Sequence, residues 1–131
     1  MPTIFSKIIA GEIPCYKIVE SEKYLAFLDI NPLAKGHTLV IPKQETDYIF
    51  NINDEELAGL HLFAKKIAKA IEKAVSCKRI GMAVIGLEVP HAHIHLIPIN
   101  HVGDINFSNP KLSFSKSEME QVAERIRGFL G

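Results

Sequence analysis

Three histidines at alternate positions, His91, His93 and His95, are the residues of this chain that most directly suggest chemistry. On a β-strand, successive side chains point to opposite faces, so the three imidazoles would share one face. The residues between and after them are apolar and are predicted to face the core: Ala92, Ile94 and Leu96. The histidine row is therefore predicted to line a site.

Three interpretations of this row compete: a metal site, a nucleophilic or acid–base site, and a structural cluster of polar side chains. Zinc needs donors that converge at about 2.0–2.1 Å, whereas His91 and His95 would lie about 13 Å apart on a regular strand. Two neighbouring histidines could share a metal with His37 or an acidic residue. Neutral imidazole is a good nucleophile at phosphorus, and its pKa of about 6.5 makes both protonation states accessible. The spacing alone favours a histidine-rich site that handles an anionic group.

Extended apolar runs predict the sheet that would position the row. A short amphipathic helical turn at residues 4–10 comes first. Strand-like runs bounded by turn residues then follow at 16–20, 24–29, 37–42, 81–89 and 91–99. Pro90 separates the last two runs, and proline suits a strand edge or first position because it donates no backbone hydrogen bond.

Two helices complete the predicted fold. Asn53 and Glu56 form a capping-box pattern ahead of a long helix with apolar residues every three or four positions. Ser115 and Glu118 repeat the pattern ahead of a C-terminal helix. We predict an α+β fold with a mainly antiparallel sheet, one long helix packed on it and a C-terminal helix. Residues 1–131 fit one domain.

Charge and cysteine content limit the class of protein. Fifteen basic and fifteen acidic residues give zero formal net charge, so the chain lacks the basic footprint of a nucleic-acid or anionic-membrane binder. Cys15 and Cys77 form no metal or redox motif, which suits a reducing compartment. No apolar run approaches the length of a membrane span. We expect a cytoplasmic protein that binds neither nucleic acid nor membrane.

The stretch His91-Ala-His-Ile-His-Leu-Ile97 resembles the signature of the histidine triad (HIT) proteins, which act on nucleotides at phosphorus. The likeness is to the bacterial-type histidine triad nucleotide-binding branch. It continues, in the expected order and over about the first three-quarters of the chain, through residues 3–9, 11–14, 27–30, 36–42 and 86–90. The resemblance implies a HIT-like fold and a site of known layout.

The resemblance implies a role for each residue of that site. His93 would be the nucleophile, attacking the α-phosphorus of a nucleoside phosphoramidate or related AMP conjugate and forming a nucleotidyl-histidine intermediate. His91 and His37 would orient and polarise the site, and His95 would contact phosphate oxygens or the bridging atom. Asp29 would accept hydrogen bonds from the ribose hydroxyls. An apolar slot for the purine base would be formed by Ile4, Phe5, Ile8, Phe27 and Ile30.

Several features leave alternatives open. Asp29 could instead cap the turn ahead of Asn31-Pro32. Glu88 stands where many relatives have serine, three residues before His91, and would transfer protons, favour a cationic leaving group, or simply end a strand. The asparagine that many relatives use to hold the ribose has no counterpart in residues 79–86.

The resemblance also bears on metals and cofactors. Some bacterial relatives carry a C-x-x-C that contributes to a structural zinc site. Thr3 and Ser6 occupy those positions here, so we predict no metal and no cofactor.

An enzyme is the leading hypothesis for function, with a purine nucleotide or nucleotide conjugate as ligand. The alternatives are a purine nucleotide-binding regulatory protein with little turnover and a dinucleoside polyphosphate hydrolase. A homodimer is expected by resemblance, and because Leu62 and Phe63 add hydrophobic surface beside the main apolar stripe of the long helix.

Overall fold

The computed structural model describes residues 2–130 and contains a five-stranded sheet. Its strands are, in chain order, β1 (Lys17–Glu20), β2 (Tyr24–Leu28), β3 (Thr38–Pro42), β4 (Arg79–Ala83) and β5 (Ile94–Ile99). Their order in space is β1-β2-β3-β5-β4, and each neighbouring pair is antiparallel. The predicted α+β fold is confirmed.

Three α-helices accompany the sheet: α1 (Ile4–Ile9), α2 (Asp54–Ala74) and α3 (Lys116–Arg127). The side chain of Asn53 caps α2 by accepting a hydrogen bond of 2.9 Å from the Glu56 N–H. Ser115 and Glu118 form the predicted capping box of α3 in both directions. Short 3₁₀ helices lie at Ile49–Asn51 and Val102–Ile105. No helix within residues 2–130 is both long and apolar enough to cross a membrane.

Apolar side chains cover both faces of the central strands, which explains their continuous apolar sequences. One face packs against α2 and α3 through a cluster that includes Ala26, Leu28, Val40, Ile94 and Leu96. The other face carries a second cluster around α1: Phe5, Leu25, Phe27, Leu39 and Ile41. The residues between the histidines belong to the first cluster, so the prediction that they face the core is confirmed.

The predicted strands at 81–89 and 91–99 are both shorter than expected. Residues 84–93 form no strand, because Gly86 adopts a positive φ of 73° and Pro90 has no N–H to donate to a ladder. His91 and His93 therefore lie ahead of β5, and only His95 is inside the ladder, paired with Leu39 of β3. Two backbone bonds hold the segment in place: His91 N–H to the Val89 carbonyl (2.8 Å) and Ala92 N–H to the Thr46 carbonyl (2.7 Å).

A tight turn at Gly36 brings His37 to the same sheet face as His95. Gly36 has a φ of 91°, a backbone conformation that residues other than glycine rarely adopt. A Cβ atom there would also lie 2.9 Å from Cγ2 of Val75. The turn is closed by a bond of 3.0 Å from the His37 N–H to the Ala34 carbonyl.

Candidate active site

A cleft of about 410 Å³ opens on the α1 side of the sheet. Its walls come from α1, from the ends of β2 and β3, and from the loop after β4. Ten of the predicted site residues line it: Ile4, Phe5, Ile8, Phe27, Asp29, Ile30, His37, Glu88, His93 and His95. His91 does not line it, because this side chain is fully buried behind His93. The volume lies within the range of roughly 300–1,000 Å³ that is typical of small-molecule sites.

The rings of His37, His95 and His93 follow one another in contact, and Phe5 joins His91 to this row. The centroids of the His93 and His95 rings lie 4.8 Å apart, and those of His37 and His95 lie 5.2 Å apart. Phe5 of α1 packs edge-on against His93 at 4.9 Å and against His91 at 5.8 Å. The structure thus brings together the four predicted catalytic histidines.

The proton of neutral His93 is fixed by a backbone carbonyl. Nδ1 of His93 lies 2.8 Å from the carbonyl oxygen of His91. A carbonyl only accepts hydrogen bonds, so Nδ1 carries the proton and Nε2 keeps its lone pair. Within residues 2–130, no protein group bonds Nε2, while the ring lines the cleft. This is the form that a nucleophilic imidazole requires.

A second chain of hydrogen bonds, through His37 and His95, places the proton of His95 on Nε2, whereas that of His93 is on Nδ1. The Leu33 N–H donates to Nδ1 of His37 at 3.0 Å, so the His37 proton lies on Nε2. Nε2 of His37 then donates to Nδ1 of His95, also at 3.0 Å. His95 is left with its proton on Nε2, on a ring that lines the cleft. A ring with a hydrogen-bond donor on Nε2, His95, therefore lies beside a ring with a lone pair on Nε2, His93.

Burial keeps this second chain neutral. Desolvation lowers the pKa of His37 to about 4 and that of His95 to about 3. The charged forms are disfavoured because the imidazoles have lost their water without gaining a carboxylate hydrogen bond. Near neutral pH both rings are uncharged, which is the state that the hydrogen-bond directions require.

Asp29 adopts the turn-capping arrangement that was one of its two predicted roles, and its ribose-binding role stays a prediction. One carboxylate oxygen accepts a hydrogen bond of 2.9 Å from the Asn31 N–H, which is the turn-capping arrangement. The other oxygen lies 3.6 Å from Nε2 of His37, beyond hydrogen-bond length. Burial raises the pKa of Asp29, while the Asn31 bond opposes the shift. The residue lines the cleft and caps the turn together.

Asp29, His37 and His95 also form a group whose possible ligand atoms lie within 4.8 Å of one another. The set does not suit a divalent metal in this arrangement. Nε2 of His37 already holds a proton directed at Nδ1 of His95, because the Leu33 N–H occupies the opposite nitrogen. A metal would have to displace that proton and separate the two rings.

Phe107 and Lys111 are among the cleft residues that sequence reasoning missed. The Phe107 ring packs edge-on against His95 at 4.6 Å, and Lys111 places its ammonium 5.8 Å above the Phe107 ring. Lys111 also donates to the Phe107 carbonyl at 2.6 Å. Both lie in an irregular polar loop where no periodic pattern indicates a position. An aromatic residue and a lysine four apart in such a loop were the only available signal.

The row of buried imidazoles on an antiparallel α+β sheet defines a histidine triad type of domain. The chain belongs to the HIT domain family, whose sequence model matches residues 10–102.

Relatives of known name or structure agree with this assignment. The chain is 36% identical, over 96% of both sequences, to adenosine 5'-monophosphoramidase hnt1 of Schizosaccharomyces pombe. A Hit-like protein from Bartonella henselae superposes with a TM-score of 0.85 at 32% identity, over 97% of this chain and 95% of that one. A zinc-bound histidine triad family protein from Mycobacterium smegmatis gives a TM-score of 0.83 at 28% identity, over 97% and 91%.

Mild acid is expected to destabilise the fold through His37 and His95. Their folded-state pKa values lie below the ordinary 6.5, so the unfolded chain takes up protons first as the pH falls. The free energy of unfolding should therefore decrease from about pH 6.5 towards pH 4. The variant His37→Gln removes one of these groups and should show a shallower decrease. Urea titrations at about pH 7, 6 and 5 measure the slope, and equal slopes in both proteins would contradict the assignment.

Proposed function

We propose that this protein is a hydrolase of nucleoside phosphoramidates or related AMP conjugates, acting at the α-phosphorus. The observation that carries the proposal is the pair of fixed tautomers: the His91 carbonyl leaves a lone pair on Nε2 of His93, and His37 leaves a donor on Nε2 of His95. The Schizosaccharomyces pombe relative, which is similar over nearly the whole chain, is named as a monophosphoramidase. Both lines support an enzyme of the phosphoramidase type.

The proposed reaction has two displacements at phosphorus. Nε2 of His93 forms a bond to the α-phosphorus while the bond from phosphorus to the leaving nitrogen breaks. The leaving amine takes a proton from solvent, relayed by Glu88, which is exposed on the cleft wall. Water then attacks phosphorus and loses a proton to solvent by way of Glu88, the bond from phosphorus to Nε2 of His93 breaks, and AMP departs. His95 donates from Nε2 to a phosphate oxygen or the bridging atom in both steps.

The remaining cleft residues are proposed to bind the nucleotide. A purine base would lie in the apolar slot formed by Ile4, Phe5, Ile8, Phe27 and Ile30. The ribose hydroxyls would donate to the Asp29 oxygen that the Asn31 N–H leaves free. The chemistry is proposed to need no metal, because the proton on Nε2 of His37, directed at Nδ1 of His95, occupies the place that a cation would take.

Two broader properties are also proposed. A homodimer is supported by Leu62 on α2, which is 69% exposed, whereas Phe63 is half-buried against Tyr24 and offers less free surface. A cytoplasmic location is supported by Cys15 and Cys77, both of which are free thiols.

Removing the nucleophile should abolish turnover. We expect His93→Ala to lower kcat for an adenosine phosphoramidate by at least about a thousandfold, the scale of losses when a catalytic nucleophile is removed. The matched control is His61→Ala, an exposed histidine on α2, which should keep wild-type activity. Release of AMP measures the rate. Unchanged turnover in His93→Ala would remove the assigned nucleophile, whereas tight nucleotide binding without turnover in the wild type would favour a regulatory protein.

The charge of Glu88 should affect leaving-group preference. The variant Glu88→Gln keeps the shape of the side chain and removes its charge. We expect kcat/KM to fall about fivefold more for a cationic amine leaving group than for a neutral one, the scale of a partly exposed charge interaction. Paired phosphoramidates that differ in that charge measure the effect. Equal losses for both substrates would mean that Glu88 supports only the loop.

The dimer proposal predicts a mass of twice the 14.6 kDa chain. Light scattering at micromolar concentration should give that value, and Leu62→Glu should lower it by placing a charge on the proposed interface. Val102→Glu, which changes an apolar side chain that is 90% exposed on another element, is the control. A monomer mass for the wild type would contradict the proposal.

A further inference from the structure

Behind the histidine row, a chain of hydrogen bonds leads from the protein surface to His91. Ser6 donates to a carboxylate oxygen of Glu45, and its hydroxyl lies 3.1 Å from the Thr3 hydroxyl. The Thr3 hydroxyl in turn lies 3.3 Å from Nδ1 of His91. The Thr3 N–H donates to the same Glu45 oxygen at 3.3 Å. None of Thr3, Ser6 and Glu45 lines the cleft.

Counting donors and acceptors fixes the direction of this chain. Nε2 of His91 lies 2.8 Å from the Pro42 carbonyl, so it carries a proton. In neutral His91, Nδ1 must then accept, and Thr3 is the donor. Thr3 can serve in this way because its oxygen accepts separately from the Ser6 N–H at 3.0 Å. The Ser6 hydroxyl proton is committed to Glu45.

The same chain can also stabilise a protonated His91. Nδ1 would then donate to Thr3, Thr3 would donate to Ser6, and Ser6 would donate to the Glu45 carboxylate. Every donor in that arrangement points towards the negative charge. The titratable groups that act on His91 are Glu45 and His93, and burial lowers the pKa of His91 while Glu45 raises it.

His91 connects this chain to the reacting atom. Its side chain is fully buried and held at both ring nitrogens, and its backbone carbonyl accepts the Nδ1 proton of His93. The position of residue 91 therefore decides whether Nε2 of His93 presents a lone pair to the cleft. Loss of the Thr3 donor would leave Nδ1 of His91 buried and unsatisfied, which favours another ring orientation.

We propose that Thr3, Ser6 and Glu45 are positioning residues that hold His91, and through its carbonyl set the tautomer and orientation of His93. The rate consequence rests on the proposed hydrolase function. The consequence for the two imidazoles does not, because it concerns only hydrogen bonds within the protein.

Variants of Thr3 test the donor. Thr3→Val should lower kcat for an adenosine phosphoramidate about tenfold, because a buried acceptor loses its partner. Thr3→Ser keeps the hydroxyl and should restore kcat to within about twofold of the wild type. Thr3 also caps α1, which carries part of the slot, so a purely structural role would instead raise KM and leave kcat unchanged.

Variants further along the chain separate positioning from capping. Ser6→Ala keeps the bond from the residue 6 N–H to Thr3, so α1 stays capped, but it removes the hydroxyl that links the Thr3 hydroxyl to Glu45 and leaves only the Thr3 N–H bond to that carboxylate. Glu45→Gln removes only the charge. Both should lower the pKa of His91, and each should reduce kcat by about threefold. Glu22→Gln, an exposed glutamate outside the chain and the cleft, is the matched control and should match the wild type.

Nitrogen-15 NMR of the imidazoles gives a readout that does not require turnover. In the wild type, His91 should carry its proton on Nε2 and His93 on Nδ1, and Thr3→Val should disturb both assignments. Unchanged imidazole spectra in Thr3→Val, or in Ser6→Ala if the former fails to fold, would overturn the inference. If the wild type lacked phosphoramidase activity while Thr3→Val still changed the imidazole spectra, the proposed function alone would be overturned.

Discussion

Backbone groups determine the proton position of His37, His91 and His93, and His37 passes the constraint on to His95, so the site depends on these contacts. A histidine in water exchanges freely between tautomers. Here the carbonyl of His91, the carbonyl of Pro42 and the N–H of Leu33 each select one. Because these groups lie at or beside the ends of β3 and β5, the fold itself specifies which nitrogen of each ring carries the proton.

Burial on both faces of the sheet keeps the histidines in the positions where these backbone contacts form. The strands that carry the histidines pack against α2 and α3 on one side, so residues between the histidines cannot exchange faces without exposing core. On the other side, Phe5 of α1 packs against His91 and His93, and Phe107 packs against His37 and His95. Burial lowers the pKa of His37 and His95, so packing and protonation state share one cause.

Sequence patterns predicted the frame of this site better than its detail. The alternation of His91, His93 and His95 was read correctly as one face, although two of these residues precede the strand. Alternation of residue types indicates which way side chains point, but it does not indicate where the strand ends. Gly86 and Pro90 determine that end through their own backbone geometry. The capping signals at Asn53 and Ser115 were reliable because a cap is a contact between residues three apart.

Contacts between residues distant in sequence were not predicted, because no local pattern connects the two partners. Thr3 meets His91 across 88 positions, and Phe107 reaches His95 from a loop without periodicity. Neither residue type indicates such a partner by itself. The Thr3 hydroxyl has two roles: it caps α1 through the nearby Ser6 N–H, and it also contacts Nδ1 of His91. A sequence pattern can indicate the first role but not the second.

Phe5 joins nucleotide binding to the state of the nucleophile. Its ring packs edge-on against Phe27 at 5.7 Å in the apolar slot and against His93 at 4.9 Å in the row. A base bound in the proposed slot would lie against the same ring that packs on His93. Binding energy from a base that takes no part in the reaction would thus help to hold the proposed nucleophile in place, by way of a residue that contacts both.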